Sequence, residues 1–134
     1  MKELNEAYFD LGVLVERCHQ SQRMISSYAS TFFDLCTESI AVGVPVDVKI
    51  PLMPMASDEL MRGLSFIPVS LSHELPDEIK RERLAEVRKT IAGFEDLHRE
   101  RSKLSYMLQC AHADHMVKLW QVGYTIKNGS VVPL

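Results

Sequence analysis

His112 and His115 are the imidazoles whose spacing invites chemistry. Three residues apart on a helix, they share a face, and two ring nitrogens so placed can hold a divalent metal ion once a third ligand completes the set. Glu3, Glu6 or Asp10 of an opposing helix would supply that ligand, whereas Cys110 points to another face. The plainer reading is a pair of interface histidines hydrogen-bonded to Tyr8 or to a carboxylate, because the strong zinc signatures use closer or more numerous ligands. Buried imidazoles would also make assembly sensitive to pH.

Glu16-Arg17-Cys18-His19 and Glu95-Asp96-Leu97-His98 both spell Glu-x-x-His. Di-iron bundles use that spacing to set a carboxylate and an imidazole on one helix face. Glu16 and Glu95 sit off the centres of their apolar faces, so both motifs read as solvated helix flanks. Arg83 and Arg101 do fall on the apolar face, where an unpaired guanidinium is costly. Gln22 and Glu16 are the candidate partners for Arg101, in a polar layer that fixes helix register. A site for a substrate anion is the sharper alternative, since Arg grips carboxylate or phosphate with two parallel bonds. The chain has no glycine-rich phosphate loop, no Gly-x-Ser-x-Gly and no His-Glu-x-x-His. Cys18 and His19 are consecutive and point about 100° apart on a helix, so adjacency makes no dyad. No catalytic residue is assigned.

Pro51-Leu52-Met53-Pro54-Met55, followed by Met61, is the segment expected to touch another protein. Unbranched methionines adapt to varied surfaces, and proline limits the entropy lost when a loop is ordered. Leu52, Met53, Met55 and Met61 are the binding candidates. Capping of the open end of a bundle is the competing role for the same side chains.

Two long helices must position these groups. From about 2 to 41 there is no proline, and Leu4, Tyr8, Leu11, Val15, Cys18, Ile25, Ala29, Phe32 and Cys36 recur in steps of four and three, with Gln22 as one polar layer. At 1.5 Å per residue this helix is about 60 Å long and needs a second beside it. Leu75-Pro76-Asp77-Glu78 opens that second helix, with two carboxylates at the positive end of the dipole, and its pattern runs to about 122. The two are expected to form an antiparallel pair. Phe9, Leu14, Met24, Tyr28, Phe33 and Leu35 lie off the narrow seam, so more than one neighbour must cover them. Either the middle of the chain folds back over the first helix, or a second copy packs there to complete a helical bundle.

Between the helices, the 43–75 connection is irregular and rich in proline and methionine. Residues 46–50 and 66–71 suggest short strands, and Ser57-Asp58-Glu59 a short helix ending near Gly63. At the C-terminus, residues 124–134 carry two β-prone runs around Asn128-Gly129, the type I′ hairpin signal. In an antiparallel pair this hairpin would lie a helix length from the connection. An antiparallel homodimer would bring the hairpin of one chain to the connection of the other.

Length and composition agree with a single mainly α-helical domain over residues 1–134: hydrophobic residues make up 46% and charged residues 25%, which is ordinary globular usage. Residues 80–103 hold eight basic and five acidic residues, leaving seven basic against thirteen acidic elsewhere. That is too interrupted for the basic stripe of a nucleic-acid binder, although Lys80, Arg81, Arg88, Lys89, Arg99 and Lys103 would form its footprint. Three cysteines match neither a disulfide framework nor a zinc pattern, no signal peptide opens the chain, and no stretch is apolar enough to span a membrane. The expectation is a cytoplasmic, non-catalytic regulator, adaptor or inhibitor that binds another protein, with no resident cofactor. A metal-dependent or anion-binding bundle enzyme and a weak nucleic-acid binder are the alternatives.

Overall fold

A computed structural model describes residues 2–46, 60–62, 64 and 75–134. Leu52, Met53 and Met55 therefore lie outside the described residues, as do nearly all of the two strands and the short helix expected in the connection. Leu60, Met61, Arg62 and Leu64 have helical backbone.

The chain is mainly helical, with two long helices and a short antiparallel C-terminal hairpin. Helix α1 spans Lys2–Ala41 and helix α2 spans Asp77–Gln121. Both bounds fall within a residue of those expected. Helix α1 stops where glycine permits a left-handed turn: Gly43 has φ 84°, its N–H donates to Ile40 O, and Val44 N–H donates to Ser39 O at 2.8 Å. That pair of bonds is a Schellman cap, which satisfies carbonyls left over at the helix end. Helix α2 starts on Pro76, whose carbonyl accepts from Lys80 N–H, with Asp77 and Glu78 in the first turn. Strands β1 (Tyr124–Lys127) and β2 (Ser130–Pro133) pair antiparallel, with Lys127 opposite Ser130. Asn128 and Gly129 both take positive φ, as a type I′ turn requires.

Packing divides into two units, one of residues 1–21 and 54–100, the other of residues 22–53 and 101–134. In the first, Leu4, Leu11 and Cys18 of α1 pack with Leu84, Val87, Phe94 and Leu97 of α2, flanked by Leu60 and Leu64. Cys18 Sγ donates to Phe94 O at 3.5 Å, and Tyr8 lies within the fields of Arg83 and Glu86. In the second, Ile25, Phe32 and Cys36 pack with Leu104, Leu108 and Ala111. Beside them, Val44, Leu119 and Val131 form a smaller cluster that seats the hairpin.

These partners overturn the antiparallel pairing. In the first unit, residue 8 meets 83 and 86 while residue 18 meets 94. In the second, Gln22 meets Arg101, Tyr28 meets His112, and Ser39 meets His115. Partner numbers rise together, so within each unit the helices run parallel. The physical reason lies in the connection. A short turn can join only antiparallel neighbours, whereas a parallel pair needs a chain long enough to retrace the helix. Thirty-odd residues at about 3.3 Å each reach on the order of 100 Å, well beyond a 60 Å helix. Parallel packing also removes the argument that the hairpin needs a second copy to reach the connection, because Val44 packs with Leu119 and Val131 of the same chain.

The wide stripe on α1 is only partly covered by the described residues. Leu35 is buried and Leu14 half-buried, but Phe9, Met24 and Phe33 are exposed.

Candidate functional site

Of the polar groups predicted on the apolar faces, Arg101, His112 and His115 lie in the second unit and Arg83 in the first. Arg101 is fully buried, and its Nη2 donates to Gln22 Oε1 at 2.7 Å. Of the two partners expected for Arg101, the structure thus supplies Gln22. About four turns along the same pair, His115 is fully buried with its Nε2 2.9 Å from Ser39 Oγ. Ser39 donates its hydroxyl proton to Leu35 O at 2.8 Å, as serines within helices commonly do. With that proton engaged, Nε2–H of His115 must be the donor and Ser39 Oγ the acceptor. The other nitrogen, Nδ1, is then an unprotonated acceptor, buried and without a hydrogen-bond partner among the described residues. Burial lowers the pKa of His115 below its ordinary value, and His112 adds to the depression.

A serine oxygen and an imidazole nitrogen at 2.9 Å match the reach of a nucleophile–base pair, but here the pair is enclosed. Both side chains are fully buried between the helices, so no acyl group could approach Ser39 Oγ. The pair acts as a buried polar clasp.

His112 packs edge-on against Tyr28 and Phe32, with ring centroids 5.9 and 5.7 Å apart, and His115 packs against Phe32 at 6.0 Å. The two histidines are brought together as their spacing implied, but the third ligand is not. Glu3, Glu6 and Asp10 are exposed residues of the first unit, while both histidines belong to the second. Parallel pairing sets Tyr28, Phe32 and Ser39 against the histidines where antiparallel pairing would have set carboxylates. Among the described residues, no group of three His, Cys, Asp or Glu side chains could hold a metal ion. Interface histidines were the plainer reading, but their neighbours are Ser39 and aromatic rings, not Tyr8.

The remaining candidates scatter. Glu16, His19 and Glu95 are exposed helix flanks. Arg83 is half-buried beside Tyr8, and its Nη1 finds no hydrogen-bond partner among the described residues. Burial raises the Tyr8 phenol above its usual pKa, Arg83 opposes that rise and Glu86 adds to it. Arg99 is bound locally to Asp96 at 2.9 Å, with both side chains well exposed. Met61, the one methionine of the expected binding segment that is described, is exposed.

One feature of α2 went unread in the sequence. Tyr106, Cys110, Ala113, Val117 and Trp120 are all exposed. Plotted at 100° per residue they fall within about 80° of one another, on the side opposite Leu104, Leu108, Ala111, His115 and Leu119. Tyr106 is 68% exposed, Trp120 51%, Val117 46%, and neighbouring Met107 53%. Trp120 Nε1 donates to Thr125 Oγ1 at 3.1 Å, which ties its ring to the hairpin. From residue 104 to 117 the only charged side chain is Asp114. The signal was available as a second run of four-three-four-three spacing, half a turn from the first.

Compared with protein-family models, curated proteins and solved structures, the chain matches none. No helix of the described residues is long and apolar enough to cross a membrane.

Proposed function

We propose that this chain is a non-catalytic protein–protein interaction module, a small cytosolic regulator, adaptor or inhibitor that works by presenting a helix face. The observation that carries this reading is the uncharged outer stripe of α2 from Tyr106 to Trp120, opposite a core face that is already filled. A helix with apolar residues on both sides has one face left for a neighbour. Large aromatic side chains such as Tyr106 and Trp120, at the two ends of this face, are common interface anchors, because each removes much area from water at little cost in rotamer freedom. The buried polar clasp and the enclosed Arg101 fit a scaffold whose interior fixes geometry and whose chemistry is at its surface.

The test is the size of the native assembly in concentrated extract of cells producing the full chain. The native protein should run well above the position of a single chain, and Tyr106→Glu with Trp120→Glu should return it to that position. Elution of the native protein as a single chain in undiluted extract would sink the proposal.

A further inference from the structure

We infer that the outer stripe of α2 docks a second copy of this chain, antiparallel, across a two-fold axis at Ala113; the inference rests on the interaction reading above and names its partner. Three observations support a second copy. The first is the order of sizes along the stripe: Tyr106, Cys110, Ala113, Val117, Trp120, with an aromatic residue seven positions to either side of the smallest. A two-fold contact must be self-complementary, since the same patch serves both partners. Antiparallel pairing about Ala113 sets Tyr106 of each copy beside Trp120 of the other, about 10 Å from the axis. The small side chains at the centre let the helices approach closely, where bulky residues would hold them apart.

The second observation is charge. A face with one carboxylate over fourteen residues offers nothing to a strongly charged partner and excludes nothing uncharged, including itself. The third is area. At their observed exposures, the five stripe residues and Met107 present on the order of 500 Å² per copy, against roughly 600–1,000 Å² per partner in stable interfaces. Flanking Lys103, Gln109 and Gln121 supply the polar rim that makes up the difference.

The register has a covalent signature. Two Ala113 positions meet at the axis, whereas the two Cys110 positions are separated by about 9 Å along the helix direction, too far for a disulfide. In a Cys110→Ser background, purified Ala113→Cys should convert almost completely to a covalent dimer under mild oxidation. Gln109→Cys in the same background, and the native protein with its own Cys110, should not. Sedimentation of the purified native chain should give twice the chain mass at tens of micromolar, and Tyr106→Glu should give the single-chain mass with helicity unchanged. A single-chain mass for the purified native protein, a dimer that survives Tyr106→Glu, or no cross-link at position 113 would each overturn the inference. If the purified chain is monomeric while the native protein in extract still runs large, the interaction reading stands and its occupant is a different protein.

Discussion

Where the first unit sets Cys18, Val87 and Phe94 between its helices, the second sets Arg101, Ser39 and His115 at the same depth. The two regions share the same pair of parallel helices and the same four-three spacing, yet the first interior is mainly apolar, with Thr90 its one buried polar side chain among the described residues, and the second is studded with polar groups. Apolar contact is non-directional and tolerates several registers. A guanidinium 2.7 Å from an amide oxygen and an imidazole 2.9 Å from a hydroxyl accept only one. The difference teaches a division of labour: the first unit contributes cohesion, and the second dictates how the helices align.

The sharpest way to break that comparison is to exchange the two interiors' characters. Phe94→Ala should remove about 3–5 kcal/mol of stability in urea unfolding, the usual loss for a fully buried phenylalanine. Arg101→Met combined with Gln22→Leu should leave stability near native or raise it, because apolar replacement of a buried polar pair spares its desolvation. Its cost should appear instead as lost uniqueness, seen as broadened or doubled amide resonances in residues 22–41 and 101–121. A double variant that loses as much stability as Phe94→Ala, with sharp single resonances, would reverse the assignment of roles.

Acid probes the same contrast with a smaller effect. The folded pKa of His115 lies below its unfolded value near 6.5, so the unfolded chain takes up this proton first. The stabilisation tied to neutral His115 is therefore complete above about pH 6.5 and is lost as pH falls through the unfolded value toward the folded one. For one proton the slope cannot exceed about 1.4 kcal/mol per pH unit. Replacement by asparagine keeps a donor for Ser39 and removes the titration, so the stability of His115→Asn should fall less between pH 7 and 5 than that of the native chain. Equal slopes would place the acid response on other groups.

Helix extents were legible because four-three spacing and proline positions act locally, residue by residue. Direction was not. A heptad pattern reads the same whichever way the neighbouring helix runs, and a 43–75 connection of this length can join either arrangement. Among the polar groups, Gln22 and Arg101 could be matched in advance because a buried guanidinium demands an acceptor. Ser39 could not, since a helical serine bonded to its own backbone leaves no pattern, although it stands three residues past Cys36 where the seam continues. The outer stripe of α2 was hidden for another reason: a scan for the core stops at the first apolar face it finds.

Gly93 gives the finest test of how the first unit closes over its apolar seam. A Cβ built there would lie 2.6 Å from Leu60 Cδ1, closer than side chains pack, so Leu60 rests against α2 where glycine leaves it room. Alanine would favour the helix by up to about 1 kcal/mol through propensity alone. The colliding atom is the end of a rotatable side chain, which can turn aside at the expense of its packing against the core of the first unit. Gly93→Ala should thus be neutral or destabilising by less than about 1 kcal/mol in the native chain, and stabilising by about that amount in a Leu60→Ala background. The change of sign is the coupling between connection and helix. If alanine stabilised both backgrounds equally, Leu60 would not be resting on Gly93, and the seam of the first unit would close over some other residue.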